Sequence, residues 1–451
     1  MNALVRPFYA MGGMVARAGA ALAPDGGGKL RRSLRARRGI RTRYATWGRE
    51  RRDAARPLLW VHAPSVGEGL QARPLLELAR IEAPALQLAY TYYSPSAEPF
   101  ARGLDVDFLD YLPFDTGGDA VAALEALRPS ALVFSKLDVW PLLVDQAVRR
   151  RVRLGLVSAT LAPGSGRRGG WAGLVLHDAY RQLDLVGAIS EDDAERLVAL
   201  GVRPERVRVT GDTRYDQVWR RALAIDREGP LLAPLLATPS ARARAARAAT
   251  TGGGSAGERF TLVAGSTWPA DEAVLLDAWQ TVRRQNPQAR LVLAPHEPTV
   301  PHLARLEGWA RAQRATLARL SAIESGEGGA DVDVVLVDRV GVLAELYGAG
   351  DAAFVGGGFH GAGLHSVLEP AACALPVTFG PEHRGSRDAG LLLGVGAATA
   401  VTSARTLAEL LRRWMTSDTL RRHAGEEARR VVQGGLGADR KAWGLVSELL
   451  E

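Results

Sequence analysis

The stretch PLLWVHAPSVGEGLQARPLLELARIE (residues 57–82) joins an apolar run to a helical pattern through a short polar segment. The run PLLWVHA predicts a buried strand, whereas RPLLELARIE spaces its apolar residues three and four apart, as an amphipathic helix does. Pro74 would remove a hydrogen bond from the interior of a helix that covered the whole segment after the strand, so we expect the helix to begin near Arg73. Residues 67–69 then form a loop at the end of the strand, which leaves the Glu68 carboxylate open.

The same alternation of short apolar runs with helical patterns continues along the chain and predicts an α/β fold with parallel sheets. In addition to residues 57–63, the predicted strands are 86–93, 131–137, 152–159, 183–189, 260–266, 289–296, 332–338 and 352–358. We therefore expect two Rossmann-like domains, each with a doubly wound parallel sheet. They are expected to face each other across a cleft and to bind ligands at the carboxyl ends of their strands.

The chain has 451 residues, 47% of them apolar, which is enough for two domains with cores of their own. A stretch rich in alanine, arginine and glycine interrupts the alternation and predicts a linker with a mobile loop. We expect an apolar membrane-associating segment, an N-terminal domain, this linker, a C-terminal domain and a C-terminal helix, at residues 1–28, 29–219, 220–258, 259–434 and 435–451. The single cysteine, Cys373, excludes a disulfide framework and fits a reducing compartment.

Basic and apolar residues are concentrated near the N-terminus. The formal net charge is +8, and residues 29–56 form an arginine-rich block that favours anionic surfaces, whether lipid or nucleic acid. Residues 4–23 are apolar over about the length that spans a membrane, but Arg6 and Arg17 interrupt them, so a clean transmembrane helix is not expected. Two interpretations stay open: an interfacial membrane anchor strengthened by the basic block, or a plain exposed helix.

Four polar clusters stand near the ends of predicted strands. Three of them, HAPSVGE, SKLDVWP and VTGDTRYDQ, supply in chain order Ser65, Glu68, Lys136, Asp138 and Arg214. The spacing Ser65-x-x-Glu68 also matches a capping box, so Glu68 is part of a helix cap, a catalytic base, or both at once.

The fourth cluster, FVGGGFHGAGLHSVLEPAA (354–372), is a glycine-rich loop that leads into a helix. Its glycines 356–358 allow close backbone approach, and a helix beginning near Ser366 would direct free N–H groups at an anion. Glu369, in the first turn of that helix, is able to accept hydrogen bonds from a ribose diol. The alternative is a turn followed by a well-capped helix.

Taken in order, these clusters resemble the motifs of the bacterial 3-deoxy-D-manno-octulosonic acid (Kdo) transferases, inverting glycosyltransferases of the two-domain GT-B fold. The resemblance runs from about Lys29 to the C-terminus. HAPSVGE matches the family's HxxSVGE, RPSALVFSKLDVWP is similar to RPxLLVxMETELWPN, and ISEDDAERLVALGVRPERVRVTGDTRYD is similar to SEEDAxRFxxLGA…VxVTGNLKFD. AGSTWPADE is similar to ASTHxGEE, and LAPHEP is similar to VPRHPE. DRVGVLAELYGAGDAAFVGG is similar to DTMGELxxLYxxADxAFVGG, and GLHSVLEPAACALPVTFGP is similar to GGHNPLEPAAxGxPVxFGP.

The resemblance implies transfer of Kdo from CMP-Kdo to a lipid A precursor, in lipopolysaccharide biosynthesis at the cytoplasmic face of the inner membrane. The family's catalytic base falls on Glu68, with Asp138 and Arg214 completing the catalytic set, and Ser65 and Lys136 are expected to contact the acceptor. The implied donor-binding residues are Ser266, Thr267, Pro295, His296, Val340, Gly341, Val342, Gly357, Gly358, His365, Ser366 and Glu369. No metal, other cofactor or nucleic-acid partner is expected.

The sequence departs from the family pattern at several of these positions. Lys136 stands where METELWPN has its first glutamate, and it either binds an anionic group of a different substrate or is a neutral change paired with Asp138. Trp268 replaces the histidine of ASTHxGEE, and His296 with Glu297 replaces the Arg–His pair of VPRHPE.

These changes keep two alternatives to a Kdo transferase open. One is a nucleotide-sugar epimerase of the same fold, against which the basic and apolar N-terminus argues. The other is a non-catalytic or altered-specificity paralogue that binds a nucleotide sugar or a lipid acceptor. The altered donor residues favour this second alternative, whereas the retained SVGE, WP, HxxLEP and FGP argue against it.

Overall fold

The computed structural model describes residues 6–22, 28–162, 164–237, 259–329, 331–361 and 363–451. The chain forms two compact units, Met1–Gln217 with Gly435–Glu451, and Val218–Gly434. The C-terminal helix, expected from the sequence as a segment of its own at residues 435–451, belongs to the first unit. Of the predicted linker, residues 238–258 lie outside the described residues, whereas an earlier part is packed into the core of the second unit through Leu231, Leu232 and Leu235.

The first unit contains a parallel sheet with strand order β3-β2-β1-β4-β5-β6-β7. Its strands are β1 Leu58–His62, β2 Gln87–Tyr92, β3 Phe108–Tyr111, β4 Ala131–Ser135, β5 Arg153–Ala159, β6 Leu185–Ala188 and β7 Val207–Val209. The order runs outward on one side of β1 and then on the other, which is the doubly wound arrangement. Strands β1, β2 and β4 are buried at every position, as expected for a parallel sheet that is covered on both faces.

The second unit repeats the arrangement with the strand order β10-β11-β9-β8-β12-β13-β14, again parallel throughout the described pairs. Its strands are β8 Thr261–Thr267, β9 Arg290–Pro295, β10 Leu317–Arg319, β11 Val334–Leu336, β12 Ala352–Val355, β13 Val377–Phe379 and β14 Ala398–Ala400. The predicted fold class, α/β with two doubly wound parallel sheets, is confirmed.

The nine strands expected from the sequence are all present, and the described ranges contain five others that were missed. The missed strands are β3, β7, β10, β13 and β14. Each has only three or four residues, too few to show a periodicity. Four of them are edge strands, which have a neighbouring strand on one side only and are therefore less uniformly apolar in sequence.

Helices connect the strands. In the first unit they are Arg6–Leu22, Lys29–Ala36, Ile40–Glu50, Val66–Glu82, Glu98–Ala101, Gly117–Leu127, Pro141–Arg149, Gly170–Arg181, Glu191–Leu200 and Ala438–Leu450. Helix Arg214–Leu223 crosses the boundary between the units along the chain. In the second unit they are Ala233–Leu236, Pro269–Gln285, Val300–Ala312, Leu320–Glu324, Leu343–Leu346, Leu368–Ala372, Arg387–Gly394, Ala404–Thr416 and Asp418–Gly434.

The predicted start of the helix after β1 is wrong. The helix begins at Val66, not near Arg73, and holds Pro74 in its interior, where Pro74 is buried. An interior proline removes one backbone donor and crowds the carbonyl four residues earlier, but the first turns of this helix are fixed by packing: a side chain at Gly69 would collide with Phe100 and Tyr90. Tertiary packing therefore outweighs the local preference.

The helix expected near Ser366 is also shifted and is shorter than the pattern suggests. It begins at Leu368 and ends at Ala372, and Ala374 then adopts a left-handed backbone conformation with φ of 58°. Glu369 does lie in its first turn, as predicted.

The C-terminal helix is tied to the first unit by a carboxylate cap. Asp216 accepts hydrogen bonds from the backbone N–H groups of Gly437 at 2.7 Å and Asp439 at 3.0 Å. The helix buries Leu445, Val446 and Leu449 in the core of the first unit. Of the helices in the described ranges, none combines the length and the apolar character that crossing a membrane requires.

Candidate active site

Glu68 lies in the first turn of the helix that follows β1. The Ser65 hydroxyl donates a hydrogen bond to Oε2 of Glu68, and the Lys136 ammonium lies 3.3 Å from Oε1. Ser135 donates to the backbone carbonyl of Glu68 at 3.0 Å. Because the hydroxyl of Ser65 is bound to the carboxylate and makes no cap hydrogen bond to the helix, the hydrogen-bonding pattern of a capping box is not formed.

The environment of Glu68 keeps its carboxylate ionised. Burial, which leaves the side chain 17% exposed, would by itself raise the pKa. The hydrogen bond from Ser65 and the positive charge of Lys136 outweigh that effect, so the pKa of Glu68 lies below its ordinary value. An ionised carboxylate at the end of a strand is able to accept a proton from a bound hydroxyl at neutral pH.

Lys136 is presented by a strained backbone. Its φ is 67°, a left-handed conformation that is uncommon for residues other than glycine, and its N–H donates to Val157 at 2.9 Å. Such strain costs on the order of 1 kcal/mol and is concentrated at functional sites. The side chain is 43% exposed and its ion-pair partner is Glu68. The expectation that Lys136 pairs with Asp138 is therefore wrong.

Asp138 lies beside His62, whose ring is fully buried. Nε2 of His62 accepts a hydrogen bond from the Trp140 indole at 3.2 Å, and Nδ1 lies 3.1 Å from the carbonyl oxygen of Thr91. An indole N–H only donates, so Nε2 carries no proton, and the imidazole is the neutral Nδ1–H tautomer. The 3.5 Å approach of Asp138 to Nε2 is thus a contact with a neutral ring and not an ion pair.

Arg214 is anchored to the same helix as Glu68 through Asp212. Its guanidinium binds the Asp212 carboxylate at 2.7 and 2.9 Å, and Asp212 in turn accepts from the Gln71 amide at 3.3 Å. The Thr213 hydroxyl donates to the carbonyl of Gln71 at 2.6 Å. The loop that carries Arg214 is therefore attached to the turn that follows Glu68.

In the second unit, Asp271 fixes the glycine-rich loop. Its buried carboxylate accepts hydrogen bonds from the backbone N–H groups of Trp268, Gly357 and Phe359 at 2.7 to 2.9 Å. Gly357 has a φ of 91°, and a side chain there would collide with the carbonyl of Gly363. At this glycine the loop packs closely against another segment of its own backbone, which leaves no room for a side chain.

A pocket of about 280 Å³ opens beside this loop at the carboxyl edge of the second sheet. Its polar lining consists of Ser266, His365, Ser366, Glu369 and Arg221, together with the backbone of Gly341, and its apolar wall consists of Leu343, Ala344, Tyr347 and Val355. Five predicted donor-site residues are thus brought together. Arg221 was missed because nothing in a chain so rich in arginine distinguishes it.

The other predicted donor residues do not line this pocket. The Thr267 hydroxyl is fully buried and donates to Glu272 at 2.9 Å, and Pro295 is buried at the end of β9. Gly358 packs against Gly380, where no side chain fits. The remaining predicted residues, which are outside the pocket lining, are His296, Val340, Val342 and Gly357.

An aromatic cluster stands next to the pocket. The Trp268 ring stacks between His360 at 4.3 Å and His296 at 4.5 Å, and its indole N–H donates to Nε2 of His365 at 3.1 Å. Burial, followed by the charge of His296, lowers the pKa of His365. His360 was not expected at the site, although its position in the glycine-rich loop was the available signal.

Across the part of the chain that the structure describes, no three histidine, cysteine, aspartate or glutamate side chains are grouped as a metal site would require.

Comparisons with known proteins agree with this architecture. A family model described as 3-deoxy-D-manno-octulosonic-acid transferase (kdotransferase) matches residues 33–217. A 3-deoxy-D-manno-octulosonic acid transferase from Bordetella pertussis is 30% identical over 420 residues, which cover 90% of this chain and 91% of the relative. One from Haemophilus influenzae is 25% identical over 358 residues, covering 77% and 76% of the two chains.

Solved structures share the fold at low identity. A UDP-GlcNAc 2-epimerase from Neisseria meningitidis bound to UDP-GlcNAc has a TM-score of 0.56 at 12% identity, covering 87% of this chain and 99% of that one. A glycosyltransferase from Rickettsia africae has a TM-score of 0.53 at 10% identity, covering 88% and 99%. These likenesses are evidence of the fold only.

Two parallel seven-stranded sheets with their helices, and structural relatives of this kind, define a two-domain α/β protein of the GT-B class. The identity to the Bordetella protein over nine-tenths of both chains is specific for one group within that class. The chain belongs to the 3-deoxy-D-manno-octulosonic acid transferase family and is a glycosyltransferase.

Replacing Asp271 by asparagine should loosen the glycine-rich loop. The amide keeps one acceptor oxygen but turns an NH2 group toward backbone N–H donors, so buried donors lose their partner. We expect the free energy of unfolding of the second unit to fall by about 2–3 kcal/mol. Urea unfolding and faster hydrogen exchange at residues 356–361 would measure this, with Asp277→Asn, exposed on the same helix, as the control. Equal behaviour of the two variants would contradict this role of Asp271.

Proposed function

We propose that this chain transfers Kdo from CMP-Kdo to a hydroxyl group of a lipid A precursor, with inversion at the anomeric carbon, in lipopolysaccharide biosynthesis. The observation that carries this proposal is the ionised Glu68, held between Ser65 and Lys136 at the end of β1. It stands where the motif HxxSVGE of the family has its catalytic base.

In the proposed reaction Glu68 accepts the proton of the attacking hydroxyl. The hydroxyl oxygen forms a bond to the anomeric carbon, while the bond from that carbon to the phosphate oxygen breaks and CMP leaves with the electron pair. A single displacement of this kind inverts the configuration. Asp138 and Arg214 complete the catalytic set, and Lys136 and Ser65 contact the acceptor next to the base.

The pocket in the second unit is the proposed site of the CMP moiety. Its volume, about 280 Å³, is close to the lower end of the range for small-molecule sites, which begins at about 300 Å³. Glu369 is suited to accept hydrogen bonds from the ribose hydroxyls, while Ser366 and Arg221 are suited to donate to the phosphate. No metal ion or other cofactor is needed in this scheme, since fixed N–H groups and cationic side chains stabilise the leaving phosphate.

The N-terminal helix supports peripheral association with the cytoplasmic face of the inner membrane. One face of helix Arg6–Leu22 docks on the first unit, where the Tyr9 hydroxyl donates to Asp115 at 2.9 Å and Arg17 lies 3.6 Å from Asp119. A different set of side chains on this helix is exposed and apolar, namely Met11, Met14 and Val15. With the basic block that follows, this surface suits an anionic lipid interface.

Replacing Glu68 by glutamine should abolish the base while keeping the shape of the side chain. We expect the rate of transfer from CMP-Kdo to a tetraacylated lipid A precursor to fall at least about 100-fold. The rate is measured in the presence of EDTA from the mass of the product. The dissociation constant of CMP should stay within about two-fold of the wild-type value, because the proposed CMP site is in the other unit. The substitution removes no hydrogen bond from that site, where each bond contributes about 1 kcal/mol. Glu77→Gln, on an exposed position of the same helix, is the matched control.

Transfer by Glu68→Gln at the wild-type rate would overturn the assignment of the base. Wild-type protein that binds CMP-Kdo but transfers nothing would favour the non-catalytic paralogue, and loss of transfer in EDTA would show that a metal is required.

Replacing Lys136 by methionine should move the acid limb of the pH profile. Without the neighbouring ammonium the Glu68 carboxylate is protonated at a higher pH, so the base is lost earlier as the pH falls. We expect the acid limb of kcat/KM to move to higher pH, by a modest amount because the lysine is partly exposed and its charge is screened. Lys441→Met, on an exposed position of the C-terminal helix, is the control. An unchanged limb with a raised KM for the acceptor would instead assign Lys136 to acceptor binding alone.

Replacing Met11, Met14 and Val15 together by serine should weaken membrane binding. Loss of three exposed apolar side chains from an interface removes on the order of 3 kcal/mol, so co-sedimentation with anionic phospholipid vesicles should drop strongly. Val300→Ser removes an exposed apolar side chain from the second unit and should bind vesicles as the wild type does. Undiminished binding by the triple variant would show that this surface does not face the membrane.

A further inference from the structure

The hydrogen bond between Trp268 and His365 fixes the protonation pattern of the histidine. The indole N–H of Trp268 donates to Nε2 of His365 at 3.1 Å. Because an indole N–H has no acceptor capacity, Nε2 must be the unprotonated nitrogen, and a neutral imidazole then carries its proton on Nδ1. Protonation of the ring would set two N–H groups against each other and break this bond.

The indole itself is held so that this bond has little freedom. The ring of Trp268 is stacked on both faces, by His360 with an interplanar angle of 3° and by His296 with one of 26°. The backbone N–H of Trp268 donates to the buried Asp271 at 2.9 Å. A ring fixed on both faces and at its backbone directs its N–H group to one place.

The second nitrogen of His365 is available. Among the described residues Nδ1 has no hydrogen-bond partner, and His365 is half-buried in the lining of the pocket in the second unit. The first unit has a similar pair, in which Trp140 donates to Nε2 of His62, but there Nδ1 lies against Thr91 and the ring is fully buried. Only the pair in the second unit leaves a donor for a ligand.

The surroundings also disfavour a charged His365. The ring of His296 lies 4.6 Å away, His360 and Asp271 are the other titratable groups that act on it, and Arg221 and Glu369 line the same pocket. Burial, followed by the charge of His296 and then of His360, lowers the pKa of His365, and the opposing effect of Asp271 is smaller than the first two.

We propose that Trp268 is a positioning residue that holds His365 as the neutral Nδ1–H tautomer, so that the pocket presents a fixed N–H donor to a phosphate oxygen of the bound nucleotide. The identity of the ligand rests on the proposed function, whereas the state of the ring does not depend on it. Trp268 stands where the family motif ASTHxGEE has a histidine.

The first test reads the ring directly in the full-length protein without any ligand. Long-range ¹⁵N spectra of protein labelled with [¹⁵N]histidine, with His365→Gln to assign the signals, report which nitrogen carries the proton. Wild-type His365 should be the Nδ1–H tautomer throughout the range from pH 8 to 6. Trp268→Phe keeps a ring between His296 and His360 but removes the donor, so the Nε2–H tautomer should appear and the titration midpoint should rise by roughly 0.5–1 unit.

The second test measures the consequence for binding. The dissociation constant of CMP is measured calorimetrically for wild type and Trp268→Phe at several pH values, and their ratio cancels the titration of the phosphate itself. At pH 8 the variant should bind about three- to ten-fold more weakly, because part of its His365 lacks the Nδ1 donor. Toward pH 5.5 the ratio should shrink, since the imidazolium that forms in the variant restores that donor and adds a charge.

The outcomes separate the two proposals. Trp140→Phe, the matched indole deletion in the first unit, should leave the His365 signals unchanged and controls for general loosening. If His365 keeps its tautomer and its midpoint in Trp268→Phe, or if the ratio of dissociation constants is one at all pH values while CMP binds, the positioning role is overturned. Failure of both proteins to bind CMP, with the tautomer change present, would instead contradict the proposed ligand.

Discussion

The pairing of β1 with β4 is the constraint on which the candidate base depends. The two strands are parallel neighbours with His62 opposite Phe134, so the chain leaves both of them at the same edge of the sheet. Glu68 and Lys136 are therefore brought to within 3.3 Å although 68 residues separate them in the chain. Burial of a carboxylate would favour its neutral form, and it is this pairing, with the Ser65 hydroxyl, that reverses the effect.

The second unit uses the same constraint for a different purpose. The pairing of β8 with β12 sets Gly265 opposite Val355, so Ser266 meets the start of the glycine-rich loop, where a side chain at Gly356 would collide with its carbonyl. Ser266 itself adopts a φ of 55°, a strained conformation like that of Lys136 at the end of β4. In each sheet the strained residue lies at the end of a strand and at a candidate site: Lys136 contacts Glu68, and Ser266 lines the pocket of the second unit.

The sequence was informative where a pattern is long or where several motifs occur in order. Nine strands, the doubly wound class and the position of Ser65 and Glu68 next to the end of β1 follow from alternation, glycines and motif order, whereas the contact of Glu68 with Lys136 does not. The start of the helix at Val66 did not, because the packing of Gly69 against Phe100 and Tyr90 is invisible in a local pattern that contains Pro74.

Contacts between distant segments escaped sequence reasoning for the same reason. The stacking of His360 on Trp268 joins residues from two loops, and no spacing rule relates them. Arg221 is one of many arginines, and only the fold shows that it lines a pocket with Glu369. The family resemblance implied that Thr267 contacts the donor, but side chains alternate between the two faces along a strand, and this hydroxyl donates to the buried Glu272.

We interpret the departures from the family pattern as a redistribution of charge within the two sites and not as a loss of function. Where the pattern has the first glutamate of METELWPN, this chain has Lys136, whose cation helps the Ser65 hydroxyl to keep Glu68 ionised. Where it has the Arg–His pair of VPRHPE, this chain has His296 with Glu297 and so lacks a permanent cation, but Arg221 brings a guanidinium to the pocket of the same unit. Trp268 and Lys136 each make a specific bond to a residue that the family pattern retains, His365 and Glu68. The changed residues are thus integrated into the two sites, which favours a working enzyme over a non-catalytic relative.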